Sequence, residues 1–416
     1  MDEWQKTTLG EVANIIMGQS PTGETCNDEG KGLPLLNGPT EFGNYHPFPN
    51  QFTIDPKKIA EKGDLLFCVR GSTTGRMNWA DQKYAIGRGI AAIKAKDGDT
   101  FQPFIKVIIE KELNNLLAVA TGSTFPNISK ADLHNLVIHL PPIDSRIFIA
   151  DFAKIFDAKI ENLRKHNNTL EQIAQTIFKH WFIDFEFPNT DDKPYKSSGG
   201  EMQSSELGDI PVGWRVGTLG DFVNVINGYS YKRADLGTSD VALINLKNFN
   251  INGDFRLDGF KEIVTSNYQD KHLVKPNDLL VAHTDLTQNA EVLGNPILVQ
   301  PLNKYSKYVI SMDLVCIQSK TKNINNFFLY YLLLNRIFKS HCIGYSNGTT
   351  VLHLSKKAVP EFKFAIPNDY KYISNFQTLA ELNRKKITNN GNQIQTLTNI
   401  RDTLLPKLMS GELRVK

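Results

Sequence analysis

Two stretches of this chain carry the same seven-residue rhythm. Ile149, Ala153, Phe156, Ile160, Leu163, Asn167, Leu170, Ala174, Ile177 and Trp181 follow one another in alternating steps of four and three. That spacing places them on the inward edge of a coiled-coil helix. Phe376, Ala380, Asn383, Ile387, Asn390, Ile394, Leu397, Arg401, Leu404 and Leu408 repeat the rule at a constant offset of 227. Two matched stripes predict two long helices that pair with each other. The polar members Asn167, Asn383, Asn390 and Arg401 are expected to set register at the cost of some stability. An antiparallel pair is expected, with Asn167 opposite Asn390, Leu163 opposite Ile394 and Leu170 opposite Ile387, and with Ile160 and Leu397 on the same seam. A register one heptad away would pair Asn167 with Asn383. Pro406 is expected to end or kink the second helix near its last turn.

Elsewhere the periodicity shortens. Asp64–Arg70, Ile90–Ala95, Asp278–Ala282 and Leu314–Gln318 are short apolar or alternating runs bounded by Gly, Pro, Asn or Asp, and they predict strands. Phe104–Thr121 and Phe327–Ser340 predict helices. These runs recur because the chain repeats itself. "WQKTTLGEVANIIMGQS" (Trp4–Ser20) and "WRVGTLGDFVNVINGYS" (Trp214–Ser230) share eight of seventeen positions. "GDLLF" (Gly63–Phe67) answers to "NDLLV" (Asn277–Val281) at an offset of 214, and "GSTFPNISK" (Gly122–Lys130) to "GTTVLHLSK" (Gly348–Lys356) at 226. The offset grows mainly between Leu280 and Tyr308, so that segment is expected to be an exposed insertion.

The expected fold is α+β: two duplicated globular domains separated by two long antiparallel helices forming an intramolecular coiled coil. The first domain spans residues 1–143, a central helical spacer 144–186, a linker 187–213, the second domain 214–368, and a C-terminal helical spacer and tail 369–416. The linker assignment rests on the Ser, Gly, Pro and charge content of Phe187–Gly213.

Composition narrows the function without naming it. Of 416 residues, 41% are apolar and 22% charged, and the formal net charge is only +3. Nucleic-acid binding would therefore depend on where the charges sit. No stretch near the start reads as a secretory signal, and no apolar run is long enough to span a bilayer. No membrane role and a cytoplasmic location are expected. Cys26, Cys68, Cys316 and Cys342 show no CxxC spacing and are expected to be free thiols.

Catalytic constellations are missing. "GSTTGR" (Gly71–Arg76) lacks the Lys-Ser/Thr ending of a phosphate loop. His134 and His139 are not at metal-ligand spacing. The carboxylates of "FIDFEF" (Phe182–Phe187) have no supporting residues for glycoside hydrolysis or metal binding. No catalytic residue and no metal ligand is expected.

Polar, hydroxyl-rich loops recur instead at equivalent places in both halves. Arg and Asn/Gln can read base edges by paired hydrogen bonds, and hydroxyls and cations fix the phosphate backbone. The candidates in the first half are Gln19 and Ser20; Arg70, Ser72, Thr73, Thr74, Arg76 and Asn78; Arg88; and Ser123 and Thr124. In the second half they are Tyr229, Tyr231, Lys232 and Arg233; His283, Thr284, Thr287, Gln288 and Asn289; Lys304, Tyr305 and Lys307; and Asn347, Thr349 and Thr350.

Several longer motifs resemble one family. "HWFIDFEFP" (His180–Pro188), "KPYKSSGGEM" (Lys193–Met202), "ELGDIPVGWRVGTLGD" (Glu206–Asp221) and "LLPKLMSGELRV" (Leu404–Val415) are similar to segments of type I restriction–modification specificity subunits. So are "GQSPTGETCNDEGKGLPLLNG" (Gly18–Gly38) and "GRGIAAIK" (Gly87–Lys94). One departure is "PPIDSRIFIADF" (Pro141–Phe152), which lacks a Glu-Gln run often found at the start of the first helix. The resemblance implies two target recognition domains on double-stranded DNA. It also implies paired helices that dock two adenine methyltransferase subunits, and restriction or motor subunits that join through the complex. S-adenosylmethionine, ATP and Mg are then expected on the partner subunits, with no cofactor bound by this chain. Ile149 to Trp181 is 33 residues, about 50 Å of helix, so a bipartite target with half-site centres roughly 10 base pairs apart is expected. The alternatives are an enzyme with an unrecognised site, and an inactive paralogue or coiled-coil scaffold without specific DNA binding.

Overall fold

The computed structural model describes residues 4–120, 126–250, 255–302, 304–348 and 351–413. They form two units: residues 1–166 with 389–416, and residues 167–388. Each holds one copy of the internal repeat and one end of each long helix.

The repeat is visible strand by strand. Gln5–Thr8, a short helix Leu9–Val12 and Ala13–Met17 open the first copy, and Trp214–Thr218, Leu219–Phe222 and Val223–Asn227 open the second. In the first copy a sheet runs in the order Ala13–Met17, Ile90–Ala95, Leu65–Cys68, Met77–Trp79; in the second, Val223–Asn227, Leu314–Ser319, Leu279–Ala282, Pro296–Leu298. A second sheet in each copy contains one parallel pair, Leu33–Leu36 with Tyr84–Ile86 and Val241–Ile244 with Lys307–Ile310. The opening strand of each copy pairs with its last one, Gln5 opposite Leu140 and Arg215 opposite Ile366. Sheets with helices packed against them make each copy α+β, as expected.

Local chemistry explains why two diverged sequences build one frame. Gly63 (φ 91°) and Asn277 (φ 68°) turn the chain through the left-handed region at equivalent points, where Gly and Asn are tolerated. The next residue then clasps the turn: Asp64 Oδ2 accepts from Glu61 N at 2.8 Å, and Asp278 Oδ2 from Lys275 N at 2.9 Å. Gly18 and Gly228 are required for another reason. A Cβ on either would lie 2.1 Å from a backbone oxygen, of Gly87 or of Ser311 respectively.

The growing offset resolves into two steps. Trp79 pairs with Leu65 and Leu298 with Leu279, so the offset has risen from 214 to 219 there. It reaches 224 at Tyr84 and Tyr308, which pair with Ala60 and Val274. The extra residues thus flank the strand Pro296–Leu298, which is itself buried. The expectation that all of Leu280–Tyr308 is exposed is corrected: only the connections carry the insertions, because Pro296–Leu298 keeps its register with Leu279–Val281 and its side chains in the core.

The long helices run Ile143–Phe178, continued by a wider turn at Lys179–Ile183, and Lys371–Ser410. In the first unit Ile149, Ala150 and Ala153 pack in one core with Leu405, Leu408 and Met409. Ile160, Leu163 and Asn390 are buried there, and Ile394 and Leu397 half-buried. In the second unit Ala174 and Phe178 pack with Phe376 and Ala380. Within each unit the two helix ends therefore run antiparallel. Asn167 Nδ2 donates to Ile387 O at 3.4 Å and Asn383 Nδ2 to Leu170 O at 3.3 Å. These bonds set Leu170 against Asn383 and Asn167 against Ile387, midway between the two registers considered. Asn167 and Asn390 fall in different units, and their pairing stays an expectation.

Pro406 lies inside its helix, which ends one turn later at Ser410. The final turn is held by burial of Leu405, Leu408 and Met409, which offsets the missing main-chain hydrogen bond. Phe187–Gly213 is also more than a linker. It folds into the second unit through the hairpin Met202–Ser205 and Gly208–Pro211, and Phe187 stacks on Tyr195 and Trp214 at 4.6 and 5.3 Å. Polar composition concealed this because the few aromatic residues do the anchoring.

Candidate nucleic-acid interface

Four segments of the first copy converge at one end of its sheets. Gln19 N donates to Ile86 O at 2.9 Å, and Arg88 N to Ser20 Oγ at 3.3 Å. Val69 N donates to Gly89 O, and Ile128 N to Val69 O, each at 2.9 Å. Arg70 is thereby carried alongside Asn127, and its Nε donates to Asn127 Oδ1 at 3.1 Å. Gln19, Arg70 and Arg88 are exposed, and Ser20 is half-buried between them. The result is a surface with two guanidinium groups and amide and hydroxyl partners, brought together from residues 19–20, 70, 88 and 127.

The second copy builds the same junction from different side chains. Tyr229 N donates to Ile310 O at 2.7 Å, and Met312 N to Tyr229 O at 2.8 Å. His283 N donates to Asp313 O, and Leu354 N to His283 O, each at 2.8 Å. Thr284 then pairs with His353, which pairs in turn with Asn347; Thr284 Oγ1 and His353 Nδ1 are 3.5 Å apart. Burial, followed by the charges of His353 and Lys356, holds the His283 imidazole below its ordinary pKa. It is therefore biased toward the neutral form.

The remaining candidates divide by their neighbours. Ser72 and Thr73 are exposed on the loop after Arg70. Thr74 Oγ1 donates to Gly71 O and Pro126 O at 2.7 and 2.9 Å, and Arg76 Nη2 donates to Phe42 O at 2.9 Å. Thr74 braces the junction beside Asn127, whereas Arg76 ties its loop to Pro39–Gly43. Asn78 is only 3% exposed, and its amide donates to Gly43 O and Met77 O; Thr284 is 5% exposed. These two are corrections: Asn78 is the inward residue of the alternating strand Met77–Trp79, and Thr284 is buried together with Asp285 in a two-residue strand.

In the second copy Lys232, Arg233, Gln288, Asn289, Lys304, Lys307 and Asn347 are exposed. Thr287 Oγ1 bonds to Asp285 Oδ1 at 2.8 Å. Tyr229 OH donates to Asp235 Oδ2 at 3.4 Å, and Tyr231 OH accepts from Lys261 Nζ at 2.8 Å. Lys304 Nζ and Tyr305 OH both reach Glu262 Oε1, at 2.5 and 3.2 Å. That group gathers at the edge strand Lys261–Glu262 rather than at the His353 junction. Ser123, Thr124, Thr349 and Thr350 lie outside the described residues.

Asn127 and His353 close the polar loops Thr121–Asn127 and Ser346–His353 but are not themselves among the candidate residues, although the 226 offset aligns them. The signal was present in the repeat; what concealed it was the change of residue type.

The groups considered for chemistry have structural partners. Asp184 pairs with Lys179 at 2.6 Å, and Glu186 accepts from Ser197 N and Oγ. All four cysteines are free. Among the described residues no group of three His, Cys, Asp or Glu side chains is placed to hold a metal ion, and no helix is long and apolar enough to cross a membrane.

Comparison with known proteins agrees with this duplicated frame. The model of the type I restriction modification DNA specificity domain matches residues 1–172 and again 211–399. The chain is 26% identical over its full length to the type I restriction enzyme MjaIX specificity subunit of Methanocaldococcus jannaschii, covering 94% of that protein. It is 22% identical to the HindI specificity subunit of Haemophilus influenzae, over 99% of this chain and 100% of that one. In fold it is similar to the crystal structure of a type I restriction-modification system S subunit from M. genitalium, with a TM-score of 0.58, 18% identity and coverage of 97% and 96%. With that family's model matching both copies of the repeat, this chain belongs to the type I restriction–modification DNA specificity family.

Proposed function

We propose that each repeat reads one half of an asymmetric, bipartite DNA target, and that the paired helices set the half-site spacing and dock adenine methyltransferase subunits. The chain is the recognition component and not the catalyst. S-adenosylmethionine, ATP and Mg enter on partner subunits.

One observation carries the reading. The two copies present equivalent positions in an equivalent frame with different chemistry at each: Gln19 against Tyr229, Arg88 against Met312 and Asn127 against His353, while the second copy buries Thr284 where the first exposes Arg70. A duplicated scaffold needed only for shape has no use for exposed hydrogen-bonding groups that differ between the copies at one junction. Two readers of different half-sites do, because each base pair offers its own donor and acceptor pattern in the major groove.

The test is co-expression with the cognate methyltransferase subunit, followed by genome-wide mapping of methylated adenine. Two unlike half-sites separated by unread sequence are expected. Methylation without sequence preference, or a complex that retains no specific duplex, would leave a scaffold without recognition.

A further inference from the structure

The first five-residue insertion in the second copy lies between the strands Leu279–Ala282 and Pro296–Leu298, and it is built as a rigid excursion. Asp285 is 1% exposed. Its Oδ1 accepts from Thr287 N and Thr287 Oγ1, both at 2.8 Å, and its Oδ2 from Val292 N at 2.6 Å and Leu293 N at 3.0 Å. Burial alone would raise this carboxyl's pKa, but the donors from Thr287, Val292 and Leu293 hold it below its ordinary value. From the other side Lys339 Nζ donates to Glu291 O at 3.2 Å, Leu293 O at 2.7 Å and Asn295 Oδ1 at 2.8 Å. An anion and a cation thus gather both ends of one loop.

What the loop presents is an apolar side chain. Leu286 is 70% exposed, two residues after Thr284 and close in sequence to the exposed amides of Gln288 and Asn289. The matching loop of the first copy offers Ser72 and Thr73 at its exposed positions and has Gly71 where the second has Asp285. Fixing a leucine in water gains nothing for the fold. It gains only when something apolar covers the side chain. On a surface otherwise furnished for base edges, the matching apolar group is the C5-methyl of thymine, the one apolar feature of the major groove.

We infer that Leu286 is a specificity residue that contacts a thymine methyl group in one half-site, with Asp285 and Lys339 as positioning residues that hold its loop. This rests on the DNA-reading function proposed above. The experiment uses the full chain in complex with its methyltransferase partner and duplexes carrying the mapped target. Each thymine in turn is replaced by deoxyuridine, which removes only the methyl group. The wild-type complex is expected to lose roughly three- to fivefold in affinity at one thymine of one half-site, the scale of one buried methyl. Leu286→Ala should bind more weakly by a similar factor and no longer distinguish thymine from deoxyuridine there. Asp285→Asn should lose the same discrimination while the other half-site is read as before, which a merely destabilised fold would not do. Insensitivity of the wild type to every replacement overturns the inference, as does retained sensitivity in Leu286→Ala. A wild-type complex with no sequence preference at all would instead overturn the DNA-reading function itself.

Discussion

Arg70 donates through Nε to Asn127 Oδ1 at 3.1 Å across an isolated antiparallel bridge, and the second repeat puts Thr284 and His353 at the same bridge. The backbone relationship is common to both, whereas the side chains differ in charge, reach and hydrogen-bond pattern. Arg70→Ala is therefore expected to relax discrimination in one half-site only, by roughly 5- to 150-fold, the range of one lost bidentate contact. Adenine-methylation mapping of the variant complex measures this. Equal loss at every sequence would make Arg70 a phosphate contact.

A buried charge cluster secures the first unit. Asp157 on the central helix bonds Arg401 Nη1 at 2.6 Å and Lys106 Nζ at 3.2 Å, and its side chain is almost wholly buried. Asp157→Ala leaves Lys106 with only Glu110 and Arg401 with only Asp402, both more exposed partners, and should cost about 1–3 kcal/mol, seen as a lower urea midpoint. Replacing all three residues with apolar ones of similar size should recover much of that loss. A single variant as stable as the wild type would show the cluster to be dispensable.

The His283 imidazole, held below its ordinary pKa by burial, His353 and Lys356, gives the second repeat a pH dependence. A depressed histidine favours the neutral form in the fold, so the unfolded chain binds more protons once the pH drops below about 6.5. Stability contributed by this group is full above that value and declines as the pH falls toward the folded pKa. His272, depressed by burial and Lys271, adds in the same direction. Thermal melts from pH 7.5 to 5.5 should show a shallower decline for His283→Asn. An unchanged slope would remove His283 from the account.

If the helices act as a ruler, deleting one heptad from each shortens them by about 10 Å. The spacer between half-sites should shrink by about three base pairs while both half-sites stay the same. Methylome sequencing reads both properties at once, and altered half-sites would reject the ruler.

Much of this was legible in the chain itself. The 227 offset between stripes and the shared opening motif reveal duplication and long helices, because period and identity are properties of sequence alone. Leucine, isoleucine and alanine at stripe positions bury themselves wherever a partner helix exists. The candidate surface was only partly legible. A loop arginine looks the same whether its guanidinium meets one side-chain amide, as Arg70 meets Asn127, or braces several main-chain carbonyls, as Arg76 does. An asparagine one strand position inward, such as Asn78, vanishes into the fold.

By itself the sequence determined that there are two copies, where each begins, and that each ends in a heptad helix. Local patterns record these directly. Only the tertiary structure decided that residues 19–20, 70, 88 and 127 share one surface, that Asp157 answers Arg401, and that Asp285 and Lys339 close a loop around an exposed leucine. Those relationships join groups tens to hundreds of residues apart, and hydrogen bonds and burial between distant segments leave no period in the chain.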